Sequence, residues 1–201
     1  MKVQKPLERK ELAASQSLSA EKLEFAAMYM FALQDLQTSV DYLNSEKSEF
    51  WRRIVVRSVF SFVEFTSFRL RFLLLAGAND GTFQLSPDEL LLLKDELPDL
   101  NENGNIRSRD NFFRFEKYFK FTLKLSAKYF QPTQQPDFGD GGWEALRESL
   151  KVRDLITHPK TWEHLSVSEE EVTKLEKGLD WYIDTLSLLI STWSTEATDT
   201  K

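Results

Sequence analysis

From Leu7 to Ala76 the chain contains neither glycine nor proline. Strands joined by turns need such residues as punctuation, so a run of this length is best filled by long helices. The whole chain of 201 residues has only 7 glycines and 6 prolines, and the intervals between them are rich in Leu, Glu, Lys, Phe and Ala, which favour helix. The expectation is an all-α protein. With 41% apolar residues the chain can bury one sizeable core, which favours a single domain. We place it at residues 19–195, after a flexible N-terminal arm (1–18) and before a disordered tail (196–201).

Cysteine is absent, which excludes disulfides, thiolate metal sites and a thiol nucleophile. The N-terminus MKVQKPLERKELAAS has no apolar core of signal-peptide length, and the most apolar segment, 54–75, is interrupted by Arg57, Glu64, Arg69 and Arg71. A cytoplasmic protein without a membrane span is expected. A net charge of -6 speaks against a generally basic surface, but leaves room for a local basic patch.

Apolar periodicity and capping signals divide the chain into six helices. The first runs from an N-cap at Ser19 to about Leu43, with Leu23, Ala26, Ala27, Met30, Leu33, Val40 and Leu43 as its apolar stripe. A central second helix covers about Glu46 to Leu75 and closes at Gly77. Ser86, Pro87 and Glu89 form a capping box that opens a short inserted helix ending near Pro98, and LNENGNIRS reads as a loop. A fourth helix spans about Asp110 to Phe130, and a fifth Trp143 to Thr157. The last starts at the Ser168/Glu171 capping box and carries the stripe Val172, Leu175, Leu179, Ile183, Leu186, Ile190 and Trp193. An antiparallel bundle with one short inserted helix is the economical packing.

The most informative stretch is LKVRDLITHPK, residues 150–160. Pro159 disfavours helix at His158, so the fifth helix ends there and the imidazole gains freedom. A histidine so placed is suited to giving a proton to a leaving oxygen, and an arginine such as Arg153 can grip phosphate with two donors. Five helical steps put the two side chains about 140° apart, so within one chain they need not face each other. A histidine at a helix end is also a common cap. His164, beside Glu163, reads as a surface residue.

The sequence RDLITH in an all-helical bundle resembles the HEPN superfamily, whose motif is an arginine, four to six residues and a histidine, with Asn, Asp or His favoured after the arginine. The resemblance implies a bundle of HEPN type and a metal-independent endoribonuclease needing no cofactor. It also implies a homodimer in which two copies of the motif share a cleft. Arg153 and His158 would be the catalytic pair, with Asp154 orienting the arginine. The RNA 2′-hydroxyl would attack the adjacent phosphate, His158 would move protons and Arg153 would stabilise the phosphorane, leaving a 2′,3′-cyclic phosphate. Such proteins serve prokaryotic defence and toxin–antitoxin systems, which adds an antitoxin or other protein partner to the expectations. Some family members are instead noncatalytic and only bind, so the alternative is a helical interaction module for RNA, a nucleotide or a protein. In HEPN toxins silenced by a nucleotidyltransferase, a tyrosine stands two positions after the histidine; here that position is Lys160, a departure from the pattern.

Two further constellations bear on this reading. Arg53, Arg57, Ser61, Glu64 and Arg71 fall on one side of the apolar second helix. They form either a seam facing the Arg153/His158 cleft, with Glu64 paired to an arginine and Arg57 adding positive potential, or a strip facing solvent. Arg114, Lys117, Lys120, Lys124 and Lys128 lie among Phe112, Phe113, Phe115, Tyr118, Phe119 and Phe121. They form either an RNA-binding ridge or a solvated face above core aromatics.

Overall fold

The computed structural model describes residues 17–94, 96–100, 102–103, 105–110 and 114–192. Among them are six α-helices: α1 (Leu18–Glu46), α2 (Glu49–Asn79), α3 (Pro87–Leu93), α4 (Phe115–Phe130), α5 (Gly141–Thr157) and α6 (Glu169–Ser191). A short antiparallel hairpin, β1 (Glu96–Leu100) and β2 (Ile106–Asp110), follows α3. The class is all-α, a helical bundle with one short inserted helix. Residues 1–16 of the expected arm (1–18), the last residues of the expected domain (193–195) and the tail (196–201) lie outside the described residues.

Chain contacts divide into two compact units, one of residues up to 24 and 67–129, the other of 25–66 and 130 onward. In the second unit the packing pairs give the helix directions. Tyr29 meets Phe62 and Tyr42 stacks on Trp51, so α1 runs antiparallel to α2. Glu64 pairs with Arg153 and Arg57 bonds the Ile156 carbonyl, which sets α5 antiparallel to α2 as well. Thr66 meets Tyr182 and Arg52 meets Glu169, so α6 runs parallel to α2. Between α5 and α6, Gly178 lies against Leu146: a Cβ added there would sit 2.6 Å from the Leu146 nitrogen. That close approach rotates the buried face of α6 to Val172, Leu175, Gly178, Tyr182, Thr185, Leu186 and Leu189. Leu179, Ile183 and Ile190 of the expected stripe are only half-buried.

In the first unit, Leu70, Leu73, Leu74, Leu93, Phe119 and Leu123 are buried. Arg69 enters this apolar setting by pairing with Glu21 at 2.6 Å and Glu24 at 3.2 Å. Desolvation raises the Glu21 pKa, and the Arg69 charge opposes that rise. Phe83 packs over Gly77, and Tyr129 stacks on Phe83.

Several boundaries differ from the sequence-based expectation. Ser17 rather than Ser19 caps α1, its hydroxyl accepting from Ala20. The expected α1 stripe is largely the outer face: Leu23 and Met30 are exposed, while Leu18, Glu21, Phe25, Leu36 and Ser39 are buried. The core face of α1 was hidden because it contains a charged residue, Glu21, which Arg69 neutralises. Helix α2 continues through Gly77, and the chain turns at Gly81, whose φ of 82° only glycine adopts at no cost. Helix α3 stops at Leu93 instead of near Pro98, and part of the expected loop is strand: Leu100 ends β1 and residues 106–108 belong to β2, with Pro98 opposite Ser108. Helix α4 therefore starts at Phe115 rather than near Asp110. Among the described residues no helix is long and apolar enough to cross a membrane.

Candidate functional site

Helix α5 is fixed at both ends. Asp140 caps its start, accepting the Gly142 N–H at 2.5 Å, and His158 closes it, its N–H donating to the Asp154 carbonyl. The α5 face bearing Ala145, Leu146, Ser149 and Ile156 is buried, which leaves Arg153 at the margin of that face with its side chain 22% exposed. Its guanidinium donates to the Glu64 carboxylate on α2, pairs with Asp154 at 3.0 Å, and lies 5.6 Å above the Phe60 ring. A charged group this close to the core needs such partners, because the low dielectric penalises an uncompensated charge.

His158 stands five residues further on, as the C-cap of α5. Its imidazole is exposed and has no hydrogen-bond partner among the described residues, so the side chains of Arg153 and His158 share no hydrogen bond within the chain. The structure thus brings together Arg153, Asp154 and Glu64, and leaves His158 facing outward at the end of the same helix.

Three residues of the α2 seam, Arg53, Arg57 and Glu64, face α5 and the chain that follows it. Arg57 donates to the Ile156 carbonyl at 3.2 Å and Arg53 to the Leu165 carbonyl at 3.0 Å. Arg52, which the sequence reading did not include, donates to the Val167 carbonyl at 3.0 Å and to Glu169 at 3.2 Å. These carbonyls lie at and beyond the end of α5, where helix termini leave acceptors without intrahelical partners. Arg57 and Ser61 also line a groove of about 400 Å³ with Asp35, Ile54 and Phe65. Arg71 takes a different part, in the other unit: it donates to the Leu93 carbonyl at the end of α3 and lies 4.4 Å above the Tyr118 ring. His164 is more than a surface residue, since its Nδ1 accepts the Lys160 N–H at 3.1 Å and ties the turn after His158. The long gap in sequence between α2 and this turn left no local pattern from which the arginine–carbonyl bonds could be read.

On α4, Lys117 and Lys124 are exposed, as is Arg114 just before it. Lys120 pairs with Glu116 at 3.8 Å and Lys128 with Glu89 at 2.7 Å. Phe119 is buried and Tyr118 donates to the Leu92 carbonyl, so these two aromatics serve packing. Phe112 and Phe113 lie outside the described residues. Among the described residues no group of three or more His, Asp or Glu side chains is placed to hold a metal ion.

No protein-family model matches the chain, and no curated protein or solved structure matches it either.

Proposed function

We propose that this protein is a HEPN-type, metal-independent endoribonuclease of the cytoplasm, acting as a homodimer in a prokaryotic defence or toxin–antitoxin system. The observation that carries the reading is the unequal treatment of the two motif side chains. Arg153 is oriented by Glu64 and Asp154, while the His158 imidazole is left exposed at the helix end. An oriented guanidinium suits transition-state charge stabilisation, and an unencumbered imidazole suits proton transfer. In the reaction, the 2′-oxygen bonds to phosphorus as its proton leaves, the bond to the 5′-oxygen breaks, and that oxygen takes up a proton. The products are a 2′,3′-cyclic phosphate and a 5′-hydroxyl. Since the two side chains share no hydrogen bond in one protomer, the reading has them meet across a two-fold axis. Arg114, Lys117, Lys120, Lys124 and Lys128 serve in it as further phosphate contacts.

The second reading, a noncatalytic binding module for RNA, a nucleotide or a protein, has one observation in its favour. Two carboxylates already pair with Arg153, so a phosphate competes with them for the guanidinium.

Labelled RNA incubated in chelator tests the choice. Cleavage to a cyclic phosphate that is lost in His158→Ala supports the nuclease. RNA left intact by the wild-type dimer removes it and leaves the binding module. Affinity measured against salt tests the α4 contacts, because each neutralised phosphate steepens the salt dependence.

A further inference from the structure

The segment after His158 holds a large aromatic ring in water on a backbone that is tied down. Trp162 is 85% exposed, and its indole has no ring or hydrogen-bond partner among the described residues. Burying such a side chain is favourable by more than that of almost any other residue, so a turn with a purely structural role gains nothing from displaying it. Mobility does not account for the exposure. Arg57 holds the Ile156 carbonyl before the turn, while Arg53 and Arg52 hold the Leu165 and Val167 carbonyls after it. Within the turn His164 Nδ1 accepts the Lys160 N–H, and a single turn of 3-10 helix, Glu163–Leu165, follows Trp162 directly. A ring presented from an anchored backbone loses little freedom when something stacks on it.

The neighbouring chemistry indicates what stacks. Lys160, two residues before the indole, is exposed, and so is His158, four residues before it. A flat apolar face beside a cation suits a nucleobase and its phosphate, and stacking is tolerant of sequence because every base has a π face. A protein-binding tryptophan is instead surrounded by contacts that exclude water; here the adjacent Thr161 and Glu163 are polar and exposed. Four residues span at most about 14 Å, and stacked nucleotides rise about 3.4 Å each. A base on Trp162 therefore lies within about four nucleotides of a phosphate at His158.

We propose that Trp162 is a stacking platform for a base of single-stranded RNA, with Lys160 contacting the adjoining phosphate. It rests on the reading of RNA as the substrate, and it adds that the strand must be unpaired near the cut.

The test measures binding of fluorescein-labelled, fully 2′-O-methylated single-stranded RNA, which lacks the attacking hydroxyl and so cannot be cleaved. Trp162→Ala is expected to weaken binding by roughly 5- to 150-fold, the range for loss of one base–aromatic stack. Trp162→Phe should restore most of the affinity, and the thermal midpoint should stay at the wild-type value because the ring is exposed. Duplex RNA, whose bases are already stacked, should respond to neither substitution. Tight binding that Trp162→Ala leaves unchanged overturns the stacking role and turns the indole toward a protein partner, while the nuclease reading stands. Trp162-dependent binding without cleavage of unmodified RNA keeps the platform and removes the nuclease. No binding of RNA by the wild-type chain overturns both.

Discussion

The guanidinium of Arg153 is bound by the carboxylate of Glu64, 89 residues earlier in the chain. The pair joins α5 to α2 at the level of the motif. With Glu64 46% exposed, its contribution to stability lies within about 1 kcal/mol, so its main effect is on where the guanidinium points. Arg153→Lys keeps the charge but loses the planar fork. If the chain is the proposed nuclease, its RNA cleavage in chelator falls by roughly 100- to 1000-fold, with a thermal midpoint close to that of the wild type. Undiminished cleavage by Arg153→Lys would show that the positive charge suffices and the planar fork is not needed.

Tyr182 offers a test of the core that does not depend on function. Its side chain is fully buried, and its hydroxyl lies 2.7 Å from the Thr66 hydroxyl. Either hydroxyl can donate in this pair, since Thr66 also reaches the Phe62 carbonyl at 2.7 Å and Tyr182 the Val63 carbonyl at 3.4 Å. Tyr182→Phe is expected to cost about 1 to 2 kcal/mol. Burial raises the phenol pKa above its ordinary 10.0, and a raised folded-state pKa means the unfolded chain loses the proton first. That stabilising term is fully present below about pH 10 and is lost as the pH climbs further toward the folded value. Denaturant titrations of wild type and Tyr182→Phe should therefore converge above pH 10; curves that stay parallel rule the linkage out.

At the start of α3 the sign is reversed. Glu89 completes the capping box with Ser86 and also meets Lys128 and Tyr129. Desolvation pushes its pKa up, but hydrogen bonds from Lys128, the Ser86 N–H and Tyr129 outweigh it and hold the group at about 2. The lowered pKa gives stability that is present above about 4.5 and is lost as the pH falls toward 2. Glu89→Gln should cost roughly 1 to 3 kcal/mol at neutral pH and much less near pH 2. An equal cost at both pH values would show that the carboxylate charge is not what matters.

Gly178 sets two local effects against each other. Alanine is the better helix former by about 1 kcal/mol. Its Cβ, however, would sit 2.6 Å from the Leu146 nitrogen and 2.7 Å from the Leu146 Cα, and backbone cannot swing aside as a side chain can. Overpacking of this kind costs about 1 to 3 kcal/mol. With two backbone atoms in the way the upper part of that range applies, so Gly178→Ala should lower the denaturant midpoint. A raised midpoint would mean that α5 and α6 are not held this closely.

What the sequence made legible were features written within a few residues. The capping boxes at Ser86/Glu89 and Ser168/Glu171, the helix stop before Pro159 and the helical class all rest on local stereochemistry. Features set by distant partners were not legible. The buried face of α1 includes Glu21, which becomes an interior residue only because Arg69 arrives from α2. The stripe on α6 is turned by the close approach at Gly178, which apolarity alone does not register. At the candidate site, Arg153, His158 and the polar residues of α2 can be named from the sequence, but not their partners. That Arg53 and Arg57 meet main-chain carbonyls depends on where α5 ends in space, and carbonyls carry no residue signature.

The turn from His158 to Leu165 has little apolar burial of its own: Pro159, Thr161, Trp162 and Glu163 are all exposed. Its order must come from polar anchors, chiefly Arg57 on Ile156, Arg53 on Leu165 and His164 on Lys160. A hydrogen bond from a charged donor contributes about 1.5 to 3 kcal/mol, and exposure of Arg57 reduces that to roughly 1 kcal/mol for each anchor. Combining Arg53→Ala with Arg57→Ala should thus make local opening of the turn about 30-fold more frequent. Amide exchange should accelerate at Lys160, Leu165 and Ser166, whose N–H groups are bonded within the turn. Core amides such as Leu146 and Tyr182 should keep most of their protection, because the anchors lie outside the packed interior. If the turn exchanges at the wild-type rate in the double variant, the arginines do not order it, and a rigid display of His158 loses its physical basis.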